Sequence, residues 1–163
     1  MPTVAVDARE PLARIARLVD EDSAVPLHEP DDGNVRAVRA AIGGAPVVVY
    51  CTDPTSMGGA IGAVGCGHIA AAIDLAAADG VPVIGLWHSG GARLAEGVRS
   101  MDGIGRMFAA MIRASGRVPQ VSVVLGPAAG GAAYGPALTD LVIMSPDARV
   151  FVPGPDGVKS VTG

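Results

Sequence analysis

The strongest constraint on the fold of this chain is a layout that occurs twice. Residues 81–87 (VPVIGLW) form a short apolar run of strand type, followed by the small-residue loop HSGGAR and a helix-like segment over 100–115. Residues 120–125 (QVSVVL) form a second such run, followed by a glycine turn over 126–131 and a short helix over 131–138. Apolar runs of this kind suit strands buried on both faces. Strands that alternate with helices every ~30 residues predict an α/β fold with largely parallel strands and crossover helices.

The pattern extends in both directions. Residues 10–19 predict an amphipathic helix, with Leu12, Ile15, Ala16 and Val19 on one face and Arg14 and Arg17 on the other. A polar connection fills 20–33 and carries His28, read as solvated. The runs 35–42 and 46–52 flank Gly43-Gly44, a two-residue hairpin signal. A glycine-rich loop is expected over 53–67, then a helix over 68–79 stopped by Gly80. Two further strands are expected at 141–145 and 149–152, and Asp156 opens another helical turn. The pattern breaks off in mid-motif at Gly163, so the fold is expected to be incomplete.

Composition removes several classes. Hydrophobic residues make up 50% and charged residues 17%, which excludes a disordered chain. Aromatics are only 3%, so the core is expected to be Ala, Val, Ile and Leu. The apolar share is high for one domain, and the excess is read as surface meant for another chain. The net charge is −4 with no basic stripe, which argues against nucleic acid. Arg93, Arg99, Arg106, Arg113 and Arg117 read as a solvated helix face. Residues 118–139 lack charge over a length that would span a bilayer, but they hold three prolines and four glycines. They read as a buried strand, a turn and a short helix, not as a membrane segment. Residues 1–20 are charged throughout, without an apolar leader. Cys51 and Cys66 fit free thiols in a reducing, cytoplasmic setting, and no His/Cys spacing suggests a metal site.

The two glycine loops carry the chemistry. Ligands of open α/β sheets bind beyond the carboxyl ends of the strands. Glycine there lets a backbone N–H approach a ligand atom without a Cβ in the way. Two such loops side by side would aim two N–H donors at one oxygen, which is an oxyanion hole. The same glycines also suit close helix–strand packing, and both readings stand at this point.

The segments DPTSMGGAIGAVG, VPVIGLWHSGGARLAEGV, IRASGRVPQVSVVLGPAAGGAAYGPALTD and VFVPGPDGVKSVTG resemble the β (carboxyltransferase) subunit of biotin-dependent acyl-CoA carboxylases. The likeness is greatest to the actinobacterial acetyl/propionyl-CoA type and covers residues 7–163, about the first third of such a subunit. It implies a crotonase-like spiral of ββα units, here a partial N-terminal carboxyltransferase domain over 1–163. The end of that domain and the whole second domain are expected to come from another chain, unless the sequence is truncated. It also implies transfer of CO2 from carboxybiotin, carried on a separate domain, to the α carbon of an acyl-CoA through an enolate. The implied partners are the second chain, a biotin carboxylase and biotin carrier subunit, and acyl-CoA, in a hetero-oligomer. No metal is expected in this chain.

Carried over by residue, the resemblance places Gly130 and Gly131 at the oxyanion motif, followed by Ala132. It places Gly90, Gly91 and Ala92 in the loop opposite, walling the thioester, with Ser89 beside them and Arg93 as the motif's arginine. Three departures stand out. The stretch VGCGHIAAAI lacks the basic residue and Gly-Glu pair common near the start of that helix. Pro153 and Gly157 stand where Thr and Val are common.

Other side chains offer less. His88-Ser89 is not a GxSxG nucleophile, and adjacent residues of an extended segment point to opposite sides, so Ser89 reads as loop-shaping. His68 reads as a helix cap or core-edge group, Asp140 as a turn carboxylate, and Tyr134, Met101, Met107 and Met111 as packing residues. GPAAGGAAYG lacks dinucleotide spacing. No acid/base pair stands out, as expected if biotin is the base. Two other readings keep the fold: a malonyl-thioester decarboxylase or related enolate enzyme, and a non-catalytic scaffold or regulatory subunit.

Overall fold

The computed structural model describes residues 7–152 and 159. Asp156, Pro153 and Gly157 lie outside the described residues. Helix α1 (Pro11–Ala16) starts with Pro11 and with the Glu10 carboxylate accepting the Ala13 N–H at 3.1 Å. A proline here removes only an N–H that the helix leaves unpaired anyway. Strands β1 (Val25–Pro26), β2 (Val35–Ile42) and β3 (Ala45–Thr52) pair antiparallel in sequence.

The β2–β3 turn is the predicted hairpin. Gly43 and Gly44 adopt φ of +58° and +80°, which suits a primed two-residue turn. The Asp20 carboxylate accepts both of their N–H groups at 2.8 Å. Those two bonds, Gly44 first, hold its pKa below the usual carboxylate value. A group with a lowered folded pKa stabilises the fold above its unfolded pKa and ceases to do so as pH falls through the folded value. Asp20→Asn is therefore expected to lower the urea midpoint at neutral pH and to make the loss of stability below about pH 4 shallower. Parallel urea titrations of both proteins at neutral and acid pH measure this.

After β3, a 3-10 turn (Met57–Gly59) leads to helix α2 (Ala63–Asp79). This helix begins five residues before the predicted start. The glycines that make 63–67 read as loop serve a tertiary contact: a Cβ on Gly65 would collide with the Gly33 carbonyl oxygen. The helix ends as expected at Gly80, in the left-handed region with φ 66°. Then follow β4 (Val83–Ser89), α3 (Val98–Ala114), β5 (Gln120–Ala129), α4 (Gly131–Ala137), β6 (Leu141–Met144) and β7 (Arg149–Phe151).

The seven-stranded sheet has the order β1-β2-β3-β4-β5-β6. From β3 onward the pairs are parallel, as the strand–helix alternation predicts. Strand β5 branches. Val121–Val124 pairs with β6, and Pro127–Ala129 pairs with β7. That second pairing extends β5 through the expected turn at 126–129, which no local pattern discloses.

Alternation along the strands divides the core between two faces. Val48, Tyr50, Val83, Trp87 and Val124 pack with α2 and α3. Val47, Val49, Cys51 and Leu86 pack with Ile15 of α1. In α3, Met107 and Met111 are buried, but Met101 is exposed, and Tyr134 of α4 is half exposed with its ring edge against Phe108. These two correct the expectation of core packing, because both lie on the outer side of their helices. Arg106 pairs with Asp102, and Arg113 reaches both oxygens of Asp74 at 3.0 Å, as expected of a solvated face. Arg93, read with them, instead lies before α3 with a side chain only 12% exposed, because it is held by Glu96 and Asp32. Among the described residues no helix is long and apolar enough to cross a membrane.

Candidate active site

Strands β4 and β5 are parallel neighbours, and their pairing continues to Ser89 opposite Ala128. The two glycine bends therefore leave the same end of the sheet side by side. Gly91 has φ +100°. A Cβ on it would stand 2.7 Å from the Ala129 carbonyl oxygen and 3.8 Å from Gly130 Cα. Glycine at 91 is thus required both by backbone conformation and by the close approach of the second bend.

Within the first bend most donors are already used. The Gly90 N–H donates to the Gly58 carbonyl at 2.9 Å, and the Gly91 N–H donates to Ser89 Oγ at 3.1 Å. Ser89 is buried, and its hydroxyl donates onward to the Gly59 carbonyl at 2.6 Å. Its hydrogen bonds thus shape the loop and hold it against the Met57–Gly59 turn. The Arg93 N–H donates to the Ile61 carbonyl at 2.9 Å.

The second bend is more open. Gly130 takes φ +54° as the N-cap of α4 and, among the described residues, has no atom within 4 Å of where a Cβ would stand. Its N–H donates to the Phe151 carbonyl at 3.3 Å. The N–H groups of Gly131 and Ala132, in the first turn of α4, have no backbone partner among the described residues, and no side chain caps them. The Ala92 N–H across the gap is likewise without a backbone partner among them. Such groups bind water or ligand when a helix start is not otherwise capped.

Arg93 is the anchor behind the bends. Its guanidinium donates to Glu96 Oε1 at 3.1 Å and to the Asp32 carbonyl at 2.6 Å. The other carboxylate oxygen of Glu96 accepts the Ala63 N–H at 2.8 Å, at the start of α2. One ion pair thus joins the glycine loop, helix α2 and the 20–34 connection. Glu96 was not legible as a site-supporting residue, since its Ala63 contact lies 33 positions away and the Asp32 carbonyl that shares Arg93 with it lies 61 positions from Arg93. The charge spacing Arg93–Glu96 is the one local hint.

Potential acid/base groups are committed elsewhere. His88 Nδ1 lies 3.1 Å from Arg14 Nη2. Burial, then Arg14 and Arg9, lower its pKa, favouring the neutral ring. Asp140 accepts the Gln120 N–H at 2.8 Å, as expected of a turn carboxylate. Cys51 and Cys66 are free and buried, and burial pushes both thiols up to about 12. Neither is a thiolate nucleophile at neutral pH. His28 is not the solvated residue expected: it is half-buried and stacks on His68.

The model of the carboxyl transferase domain matches residues 10–163. The chain belongs to the carboxyl transferase domain family. It is 59% identical over 157 residues to a propionyl-CoA carboxylase beta chain of Rhodococcus erythropolis, covering 96% of this chain and 33% of that protein. It is 56% identical to the biotin-dependent acetyl-/propionyl-coenzyme A carboxylase beta6 subunit of Mycobacterium tuberculosis, covering 97% of this chain and 33% of the relative. The chain thus spans about a third of the length of these relatives. Among solved structures, the transcarboxylase 12S hexamer core superposes with TM-score 0.87 at 38% identity, over 92% of this chain and 32% of that one. The Pseudomonas malonate decarboxylase MdcD-MdcE heterodimer superposes with TM-score 0.84 at 29% identity, over 92% and 68%. The fold expectation, a crotonase-like carboxyltransferase architecture, holds.

Proposed function

We propose that this chain supplies the thioester-binding side of the carboxyltransferase site of an acyl-CoA carboxylase, acting on acetyl- or propionyl-CoA. The observation that carries the reading is the pair of neighbouring bends at the carboxyl ends of β4 and β5, with amides at Gly131 and Ala132 that have no backbone partner among the described residues. Family membership and the relatives' names support the same chemistry.

In this reading the thioester oxygen sits at the Gly131 and Ala132 N–H groups. They stabilise the negative charge that forms there as the α-proton leaves. Gly130 turns the chain so that these groups face outward. Ser89, Gly90 and Gly91 shape the opposite wall, Ala92 offers a further N–H, and Arg93 positions that wall through Glu96 and Asp32. Carboxybiotin, when delivered on its carrier, supplies CO2 and a basic ring nitrogen. The commitments of His88 and Asp140 fit a site whose base arrives with that carrier.

The remainder of the carboxyltransferase would complete the site, with a biotin carboxylase and carrier subunit completing a hetero-oligomer. Strand β6 supports this. Leu141, Val142, Ile143 and Met144 are 54%, 41%, 51% and 48% exposed, an apolar strand at the last position of the sheet order. An apolar strand left open in this way calls for cover.

A second reading, malonyl-thioester decarboxylation, draws on the malonate decarboxylase likeness and uses the same hole. One assay separates the two. The chain is assembled with its complementary half and the biotin subunits, and incorporation of labelled bicarbonate into propionyl-CoA is followed. Biotin-dependent incorporation is the expected result. Release of CO2 from malonyl-CoA without biotin would select the decarboxylase instead.

A further inference from the structure

A cluster remote from the bends stands out on chemistry alone. His28 in the 20–34 connection, Asp31 three residues on, and His68 on α2 each place one ligand atom within 4.8 Å of the other two. The His68 ring nitrogen Nε2 lies 2.5 Å from Asp31 Oδ2. His28 Nδ1 lies 2.9 Å from the Glu29 carbonyl. A carbonyl only accepts, so Nδ1 carries the hydrogen and Nε2 of His28 presents a lone pair. That Nε2 is buried and has no hydrogen-bond partner among the described residues. An unsatisfied buried acceptor is costly, and here it sits beside a carboxylate and a second imidazole.

We propose that His28, Asp31 and His68 bind a divalent transition-metal ion of the zinc class. Two imidazoles and a carboxylate are the ligand set such ions favour, with water in a fourth position. The His28 Nδ1–H bond to a backbone carbonyl is the outer contact that fixes the tautomer of a metal-binding histidine. The carboxylate argues for a cation over a phosphate. Asp31 is exposed, and its Oδ1 accepts the Gly33 N–H at 2.9 Å, which leaves Oδ2 on the His68 side.

The rings now stack 3.5 Å apart at 5°. Coordination opens this stack so that the lone pairs converge, and the ion takes the place of the hydrogen between His68 and Asp31. A cavity of about 220 Å³, walled by both rings with Leu27, Ala71, Ala72 and Leu75, gives the rings room to turn. The ion would tie the 20–34 connection to α2. Asp32, next to the cluster, already holds Arg93 through its carbonyl.

The test is titration of the full chain, free of affinity tag and stripped with chelator. Zn²⁺ is added in competition with a chromophoric chelator, and Co²⁺ is added to record its visible absorption. The expected result is one saturable equivalent and a tetrahedral Co²⁺ spectrum. His28→Asn, His68→Gln and Asp31→Asn should each weaken binding by at least about tenfold, the effect that loss of an outer contact alone can produce. Circular dichroism identifies any variant that fails to fold, and exposed Asp31 provides the mildest change. Absence of saturable binding would overturn the proposal, as would binding that survives all three substitutions.

Discussion

Gly131→Pro is expected to lower the proposed carboxylation turnover by about two to three orders of magnitude, corresponding to about 3–4 kcal/mol of lost transition-state stabilisation. Proline deletes the N–H proposed to face the enolate oxygen. It does so at the first residue of α4, where proline fits the helix and its missing N–H breaks no intrahelical bond. Gly130 precedes it with φ 54° and ψ −125°, outside the right-handed helical region that proline disfavours in the residue before it. The new side chain would meet Ile104 Cδ1, 2.8 Å from the ideal Cβ. Gly131→Pro with Ile104→Val removes that contact. The measurement is kcat for propionyl-CoA carboxylation by the complete assembly, with thermal melts alongside. Full turnover in a folded Gly131→Pro enzyme would remove the Gly131 amide from the mechanism.

The largest stability loss is expected at Glu96. Its carboxylate carries two duties, accepting the Ala63 N–H and neutralising Arg93. Arg93 has a side chain only 12% exposed, and its Nε is buried without a partner among the described residues. Glu96→Ala leaves that guanidinium with the Asp32 carbonyl alone. Removing one member of a largely buried pair costs about 3 kcal/mol or more. Truncating both residues removes the stranded charge, so the double variant should lose less than the sum of the two singles. Urea denaturation of the two single variants and the double variant measures this. Equal effects that simply add would mean that the pair does not act as a unit.

Much of the architecture was legible because it rests on local rules. The Gly43-Gly44 hairpin follows from a turn that demands positive φ. Strands β4 and β5 follow from apolar runs bounded by glycine and proline, and α3 from its helical periodicity. The less legible parts share one cause. The early start of α2 depends on Gly65 meeting Gly33, and the extra length of β5 depends on pairing with β7. Both are contacts between residues far apart in sequence.

The candidate site divides in the same way. Sequence alone marks both bends as candidates, because glycine at the end of a buried strand admits the close approach of a ligand or of a packed helix, and the family motifs fall on them. It also explains why helices follow, since small residues let a helix pack close to a strand. It does not say which amides are free. In the folded chain, Gly90 and Gly91 spend theirs on Gly58 and Ser89, whereas Gly131 and Ala132 have no backbone partner among the described residues. Hydrogen bonds of this kind depend on which loop lies above which strand, and that is settled only when β4 and β5 pair. The meeting of His28, Asp31 and His68, and of Arg93 with Glu96 and Asp32, is of the same origin. Sequence spacing decides which backbone shapes are available, and the packing of one sheet against its helices decides which side chains then face each other.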